Sequence, residues 1–438
     1  MRTSRARRRT ALLAPCVALL IAGGGIPIGA AALGMPRADP SPTPAPAPTM
    51  TAPAPTRIPP PLKPIRPAAF QAAVDRAAKK LTVPGAVVVL RTPQGTYRAI
   101  SGTSELGKAE PPATDDHFRI ASNTKTMTAA LIMLLARDGR LRLTDPVSAY
   151  VPGVPNGERI TLAALLKMRS GLHDYTGAPE LAATLDADPG KAWTPQEVLA
   201  IAFRHAPDFA PDASYAYSNT NYALLGLVAE KAGGRPLARQ FRDRLFAPLG
   251  LKGTFLPAAG DRSLPEPAAH GYMYGGSVYA LGDDPYPAAM REAAQTGKLR
   301  PVDYTRQNPS YATAAGGAVS TADDLATWIR SLVRGEVLDP ASQQRWLRSP
   351  QAEDPAAPDG RTYGYGIARQ RFGPNAAMYY HGGELPGFNS FMGHDPANDV
   401  TLVIWTNLTV APDGRTTAQA LLPTVLNQIY TGLDLPTG

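Results

Sequence analysis

Ser122 and Lys125 are the residues of this 438-residue chain whose types and spacing first indicate chemistry. They lie in the segment 118–135, whose apolar residues recur at helical spacing before Asp138, so the sequence predicts a buried helix that begins near Ser122. Residues three apart share one face of a helix, with Cβ atoms about 5–6 Å apart, so the amine can reach the hydroxyl. Desolvation would lower the pKa of the amine and let it accept the serine proton. The alternative is a serine helix cap followed by an exposed lysine.

A second polar segment, 214–222, contains Tyr217 and Asn219 just before a run of apolar residues. Next to a lysine cation, Tyr217 would have a lowered pKa and relay the serine proton to a leaving group. Asn219 would hold a substrate amide and orient the lysine. The alternative interpretation is purely structural, with Ser218 or Asn219 capping the helix that follows.

A third candidate, His381-Gly382-Gly383, closes a predicted strand. Small residues at a strand edge allow a substrate backbone to approach and pair with the strand. A simple turn explains the same three residues equally well.

The predicted elements that must position these residues place strands at both ends of the chain and helices between them. The strand signals are 85–91, 95–100, 377–381, 387–393 and 400–406, the terminal helix signals are 68–78 and 418–430, and helical runs such as 161–167 and 222–230 fill the middle. We therefore expect a mixed α/β (α+β) fold. One sheet, mainly antiparallel, is assembled from distant segments, flanked by the two terminal helices and joined to a mostly helical lobe.

Residues 1–35 begin with arginines, continue in an apolar run and include Ala30-Ala31-Ala32, which favours an export signal. The apolar run is longer than the roughly 7–15 residues of typical signals, so an uncleaved N-terminal anchor is the alternative. Residues 36–67 alternate proline with alanine, threonine and serine, which predicts an extended linker. We expect the folded domain to span 68–438 and to act outside the cell or in the cell envelope.

The charge and the metal-binding residue types exclude several classes of function. Five of the eight excess positive charges lie in residues 1–35, so the rest of the chain gives no case for nucleic-acid binding. The single cysteine, Cys16, lies in the leader, and the six histidines form no His-Glu-x-x-His pair. We therefore predict neither a metal site nor a cofactor.

The three motifs occur in the order Ser-x-x-Lys, Tyr-x-Asn and His-x-Gly, with a long helical insert between the first and the last. From about residue 68 onward, the chain resembles the serine hydrolases that include secreted Streptomyces D-alanyl-D-alanine carboxypeptidases and class C β-lactamases. The segments that also resemble the carboxypeptidase branch are 169–176, 215–222, 316–325 and 363–367. No Gly-x-Ser-x-Gly motif of an α/β-hydrolase is present.

The resemblance implies a catalytic role for four residues and a β-lactamase/transpeptidase-like fold. Ser122 would be the acylated nucleophile and Lys125 its proton partner. Tyr217 would be the general acid and base, with His381 as its electrostatic partner. Backbone N–H groups of Ser122 and Glu384 would form the oxyanion hole.

The implied substrate-binding residues are Asn219, Tyr311, Gly383, Glu384 and Arg369. The chain departs from the carboxypeptidase pattern at two places. Those enzymes read His-Thr-Gly-Thr on this strand, whereas this chain reads His381-Gly382-Gly383-Glu384. A carboxylate there would repel an anionic substrate terminus. The arginine that follows Tyr-Gly-x-Gly in those enzymes is replaced here by Ala368, with Arg369 and Arg371 as the nearest substitutes.

These observations lead us to expect a secreted, monomeric D-alanyl-D-alanine carboxypeptidase or related D-peptidase. It would act on peptidoglycan stem peptides or another small acyl substrate through an acyl-enzyme, with β-lactams as acylating inhibitors or substrates. An esterase or a β-lactamase with the same machinery is the alternative. A non-catalytic envelope-binding module is the third possibility, against which the four intact catalytic residues argue.

Overall fold

The computed structural model describes residues 62–282 and 285–437, so the predicted leader and most of the predicted linker lie outside the described residues. Three residues that composition assigns to the linker, Leu62, Lys63 and Ile65, already contact the domain. The backbone N–H of Lys63 donates to the carbonyl of Ile429 at 2.9 Å. Leu62 and Ile65 pack against a hydrophobic cluster of the domain. The contacts of the domain therefore begin before residue 68.

Eight antiparallel strands form the main sheet in the order β2-β1-β12-β11-β10-β9-β8-β7, and β3–β6 and β4–β5 form two small sheets. The strands are β1 Gly85–Thr92, β2 Gly95–Gly102, β3 Phe118–Arg119, β4 Tyr272–Met273, β5 Val302–Asp303, β6 Val319–Ser320, β7 Gln351–Ala352, β8 Thr362–Tyr363, β9 Ala368–Gly373, β10 Ala376–Leu385, β11 Phe388–Asp395 and β12 Val400–Thr406.

Most of the helices lie between the two groups of long strands. They are α1 Pro67–Lys80, α2 Thr124–Arg137, α3 Leu162–Leu166, α4 Pro179–Ala187, α5 Pro195–Ala202, α6 Asn219–Gly233, α7 Leu237–Phe241, α8 Ala247–Leu249, α9 Val278–Leu281, α10 Ala288–Gln295, α11 Thr313–Gly316, α12 Ala322–Arg334, α13 Pro340–Leu347 and α14 Thr417–Ile429. Among the described residues, none of these helices is long and apolar enough to cross a membrane.

The alternation of side chains along β1 shows how the sheet separates two hydrophobic layers. Val88 and Leu90 join an outer cluster with α1 and α14. Val89, between them, faces the opposite way and joins the larger cluster that includes the helical lobe. This alternation is the expected period of two for a sheet covered on both faces. The predicted antiparallel sheet with terminal helices on one face and a helical lobe on the other is confirmed.

The helix α2 carries the reactive segment through the middle of the larger cluster. Every residue from 124 to 135 is buried, as expected for a helix whose side chains are apolar or hydrogen-bonded within the protein on every face. Its polar side chains are hydrogen-bonded internally: Thr126 Oγ1 donates to the Asn123 carbonyl at 2.7 Å and accepts from Trp328 Nε1 at 2.8 Å. A short helical turn, Ala121–Asn123, precedes α2. Ser122 therefore lies at the mouth of the helix, as the sequence predicts.

Candidate active site

Lys125 lies directly against Ser122 at the start of α2. Its Nζ donates to Ser122 Oγ at 2.8 Å, to Asn219 Oδ1 at 2.7 Å and to the Ala315 carbonyl at 2.8 Å. The side chain is fully buried, and burial lowers the pKa of Lys125 to about 7, with the Asp174 carboxylate acting in the opposite direction. Near neutral pH a substantial fraction of the amine is therefore uncharged and able to accept a proton from the serine hydroxyl.

The side chain of Asn219 connects Lys125 to an acidic residue. Its Oδ1 accepts from the lysine, and its Nδ2 donates to Thr176 Oγ1 at 2.9 Å and to Asp174 Oδ2 at 3.2 Å. Asp174 Oδ1 also accepts from the backbone N–H of Asn219 at 3.0 Å. These contacts agree with the prediction that Asn219 orients Lys125. The sequence also predicted a contact of Asn219 with a substrate amide, but both polar atoms of its side-chain amide are already hydrogen-bonded to protein groups. Ser218 holds the N-cap position of α6 without a side-chain capping bond, so the purely structural interpretation gains no support.

Tyr217 lies beside the Ser122–Lys125 pair, with its ring centroid 4.8 Å from Lys125 Nζ. The tyrosine keeps 38% of its surface accessible, and it lines the cavities that open at Ser122. Its enclosed hydroxyl is withdrawn from bulk water, and this desolvation raises the pKa, while hydrogen bonding with Ser122 acts in the opposite direction. The sequence-based expectation of a lowered pKa is wrong, because desolvation of the hydroxyl outweighs the hydrogen bond with Ser122. The hydroxyl of Tyr217 is therefore neutral near pH 7.

His381 contacts Tyr217 through its ring, with centroids 6.3 Å apart. The histidine Nε2 lies 3.0 Å from the hydroxyl of Tyr363, and Nδ1 lies 2.6 Å from the Gly382 carbonyl. Burial lowers the pKa of His381 to about 3, and the Lys125 charge adds to this effect. The imidazole is therefore neutral at pH 7, so its contact with Tyr217 involves no cationic charge.

Gly383 lies where β10 approaches the start of α2. A Cβ atom at this position would come within 2.3 Å of the Ile120 carbonyl oxygen and 2.8 Å of Asn123 Nδ2. Asn123 Nδ2 in turn donates to Ser390 Oγ of β11 at 2.8 Å, which ties the helix start to the sheet. The glycine is therefore required by the protein's own packing, a different reason from the approach of a substrate backbone expected from the sequence.

Two cavities open on either side of Ser122, and Tyr217 and Glu384 line both. The first has a volume of about 610 Å³; we call it the acidic cavity, because Asp174 and Glu384 are its only charged side chains among the described residues. Tyr311 lines this cavity, as expected for a substrate-binding residue. The second, of about 560 Å³, is lined by His381 and by several rings, and we call it the aromatic cavity. The reactive serine can thus be reached by groups on two sides.

Arg369 is not among the described residues that line either cavity, so its predicted contact with substrate is not supported. Side chains alternate along β9, and Ala368 and Gln370 face the aromatic cavity whereas Arg369 is exposed and its guanidinium lies 5.7 Å from the Tyr379 ring centroid. The next predicted substitute, Arg371, is likewise exposed and absent from both linings.

The basic residue that does line the aromatic cavity is Arg361, which the sequence analysis did not single out. Its Nη2 pairs with Glu353 Oε2 at 2.6 Å. Neither residue belongs to a recognisable motif, and both lie in the irregular segment between β7 and β8. Asp174 was likewise not predicted as a site residue. It lies within the segment 169–176, and its carboxylate next to Tyr175 and Thr176 is the sequence feature that could have identified it.

The fold and the Ser122–Lys125–Tyr217 cluster define a serine hydrolase of the β-lactamase and penicillin-binding superfamily. The chain belongs to the beta-lactamase family, whose model matches residues 70–425. Among the described residues, no group of three or more histidine, cysteine, aspartate or glutamate side chains is placed to hold a metal ion.

The chain is also similar to individual proteins of this superfamily. It is 26% identical over 340 residues to penicillin-binding protein 4* of Bacillus subtilis (strain 168), covering 77% of this chain and 71% of the relative. A D-stereospecific amidohydrolase from Streptomyces sp. superposes with a TM-score of 0.70 at 29% identity, covering 84% of this chain and 99% of that one. The D-amino acid amidase of Ochrobactrum anthropi SV3 gives a TM-score of 0.68 at 29% identity, with 82% and 97% covered.

Proposed function

We propose that this protein hydrolyses the amide bond of D-configured aminoacyl compounds through an acyl-enzyme on Ser122. The observation that carries the proposal is the acidic cavity, in which two carboxylates, Asp174 and Glu384, flank the nucleophile. Such a cavity favours a donor with a free ammonium group and disfavours an anionic one. The similarity to a D-stereospecific amidohydrolase and a D-amino acid amidase supports the same substrate class.

In this mechanism neutral Lys125 accepts the proton of Ser122 as Oγ attacks the carbonyl carbon. The backbone N–H groups of Ser122 and Glu384 stabilise the resulting oxyanion. Neutral Tyr217 donates its proton to the leaving nitrogen as the C–N bond breaks, and protonated Lys125 returns a proton to the tyrosine. Water then attacks the acyl-enzyme with the same groups acting in reverse, which releases the acid and restores Ser122.

A D-alanyl-D-alanine carboxypeptidase acting on peptidoglycan stem peptides is the second candidate. Arg361 is the observation that favours it, because a guanidinium in the aromatic cavity is a partner for a terminal carboxylate. The ion pair with Glu353 weakens the case for this role, because the Glu353 carboxylate already offsets the charge of Arg361. Esterase and β-lactamase activities rest on the same acyl-enzyme chemistry.

We expect D-alanine p-nitroanilide to be cleaved with a higher kcat/KM than its L enantiomer, by about 10²-fold, because only one enantiomer places its ammonium and its carbonyl correctly together. Acetyl-D-Ala-D-Ala, a p-nitrophenyl ester and nitrocefin are assayed in parallel. A higher kcat/KM for acetyl-D-Ala-D-Ala would transfer the proposal to the carboxypeptidase. Absence of turnover and of acylation with all of these compounds would favour the non-catalytic module.

The acid limb of log kcat/KM is expected near pH 7, because the pKa of Lys125 is lowered to about 7 and its protonated form cannot accept the serine proton. Activity should therefore fall as the pH decreases through this value. In Asp174→Asn the limb should move to lower pH, because the carboxylate that raises the pKa of Lys125 is removed. Rates measured across the range with a neutral ester test this, and a limb at unchanged pH in Asp174→Asn would contradict it.

We also propose that the protein acts outside the cytoplasmic membrane as a monomer. Cleavage of the leader near Ala32 should give a secreted product that begins close to Leu33 and lacks Cys16. N-terminal sequencing of protein from the culture medium and of the membrane fraction tests this prediction, and an intact Met1 in membranes would support the anchor instead. Size-exclusion chromatography with light scattering tests the oligomeric state.

A further inference from the structure

The turn α11, which provides a carbonyl to Lys125, borders a third cavity of about 220 Å³ that we call the rear cavity. The residues of this turn region divide between the two spaces. Ala312, Ala315 and Gly316 line the acidic cavity, and Thr313, Ala314 and Gly317 line the rear cavity. A few residues of backbone therefore form a wall common to the reactive site and a cavity that contains none of the catalytic residues.

The lining of the rear cavity is mostly apolar and includes a buried donor with no partner. Trp193 is 5% exposed, and its Nε1 has no hydrogen-bond partner among the described residues. Buried donors in proteins are normally satisfied, so the unpaired indole N–H of this lining residue is the donor that an acceptor atom of an occupant would satisfy.

The charges of the rear cavity restrict what can bind there. Glu230 and Asp261 lie on its lining, and none of the described residues that line it is a lysine, arginine or histidine. An anion would meet two carboxylates on the lining, although Lys191 Nζ lies 4.0 Å from the ring centroid of Trp193. The lining therefore matches an uncharged molecule that combines an apolar body with one oxygen acceptor for the Trp193 indole.

The conformation of α11 connects this cavity to the catalytic lysine. Thr313 has φ 45° and ψ −140°, a left-handed conformation that is strained for a β-branched residue. Two residues further on, the Ala315 carbonyl accepts from Lys125 Nζ at 2.8 Å, and the Ala314 carbonyl accepts from Thr128 Oγ1 at 2.7 Å. A molecule that packs against Thr313 and Ala314 thus contacts the segment that holds the lysine amine.

We propose that the rear cavity is a ligand site for a small neutral molecule with an apolar ring and a carbonyl oxygen, and that its occupant modulates Lys125 through Thr313–Gly316. An apolar occupant behind the turn lowers the local dielectric around the amine, which favours the uncharged form of Lys125. The binding is independent of the proposed function, whereas the effect on catalysis rests on it.

Benzamide is the probe, and sodium benzoate is its anionic counterpart of the same shape. Calorimetry on the full-length Ser122→Ala protein should show one benzamide site. The dissociation constant should rise roughly fivefold in Trp193→Phe on the same background, because the ring remains and only the hydrogen bond is lost. Ala258→Trp, at an exposed position on the cavity lining, should abolish binding by filling the space. Equal affinity for benzoate, or binding that neither substitution weakens, would overturn the site.

The coupling is measured without turnover, by following Lys125 with lysine-selective ¹³C NMR in the Ser122→Ala protein. Saturating benzamide should move the titration of Lys125 to lower pH, and the same addition to the Ala258→Trp variant should leave it in place. An unchanged titration in a protein that binds benzamide would overturn the coupling. Because neither experiment measures hydrolysis, failure of the proposed function would be seen separately, in the substrate assays.

Discussion

Replacing Ser122 with alanine is expected to remove covalent acylation and to lower kcat by roughly 10⁴- to 10⁶-fold. The alanine cannot form the acyl bond, although the oxyanion donors and the cavities remain. Labelling with a fluorescent penicillin, followed by intact-mass and peptide mass spectrometry, should place the adduct of the unsubstituted protein on the peptide that contains Ser122. The same measurement on Ser122→Ala should give no adduct.

Ser218→Ala is the matched control for this experiment. Ser218 is a buried serine next to Tyr217, and its Oγ has no hydrogen-bond partner among the described residues. Removing this hydroxyl should therefore leave both labelling and kcat close to those of the unsubstituted protein. Labelling that persists in Ser122→Ala, or that is lost in Ser218→Ala instead, would show that the nucleophile has been assigned to the wrong residue.

The parts of the fold that could be predicted from sequence are those whose signals are local. Runs of six or seven residues rich in strand-forming types located β1, β2, β11 and β12, and helical spacing located α2 and the two terminal helices. The strands β7 and β8 are only two residues long and have no period to detect. They exist because β8 pairs with β9 and β7 pairs in turn with β8, and such pairing is a tertiary property.

The candidate site divides in the same way between local and long-range properties. The contact of Lys125 with Ser122 follows from their spacing of three on a helix. By contrast, the Ala315 carbonyl, 190 residues further along the chain, accepts a hydrogen bond from the same amine, and no sequence motif predicts this contact. The direction of the Tyr217 pKa was also out of reach, because it depends on how completely the folded protein withdraws the hydroxyl from water. Arg361 lies on an irregular segment and belongs to no motif, so Arg369 was predicted in its place.

Replacing Glu384 with glutamine should reverse the preference for charged groups at the site while keeping the shape of the side chain. At about 4 Å and an effective dielectric of about 20, two unit charges interact by roughly 4 kcal/mol. Glu384 is only partly buried, so solvent screening reduces this value, and a change of about tenfold in kcat/KM is the reasonable expectation. The value for D-alanine p-nitroanilide should fall by that factor, because an attraction for its ammonium is lost.

Two substrates without an ammonium group separate this charge effect from general damage to the site. Acetyl-D-alanine p-nitroanilide, which is neutral, should be cleaved by Glu384→Gln at nearly the original rate, since no charge interaction is removed. Acetyl-D-Ala-D-Ala, which ends in a carboxylate, should be cleaved faster, because a repulsion is relieved. The exposed Glu110→Gln variant controls for the change in net charge and should alter none of these values. Equal changes for all three substrates would show that Glu384 affects the backbone of the oxyanion hole rather than the charge of the substrate, and the carboxypeptidase would then regain first place.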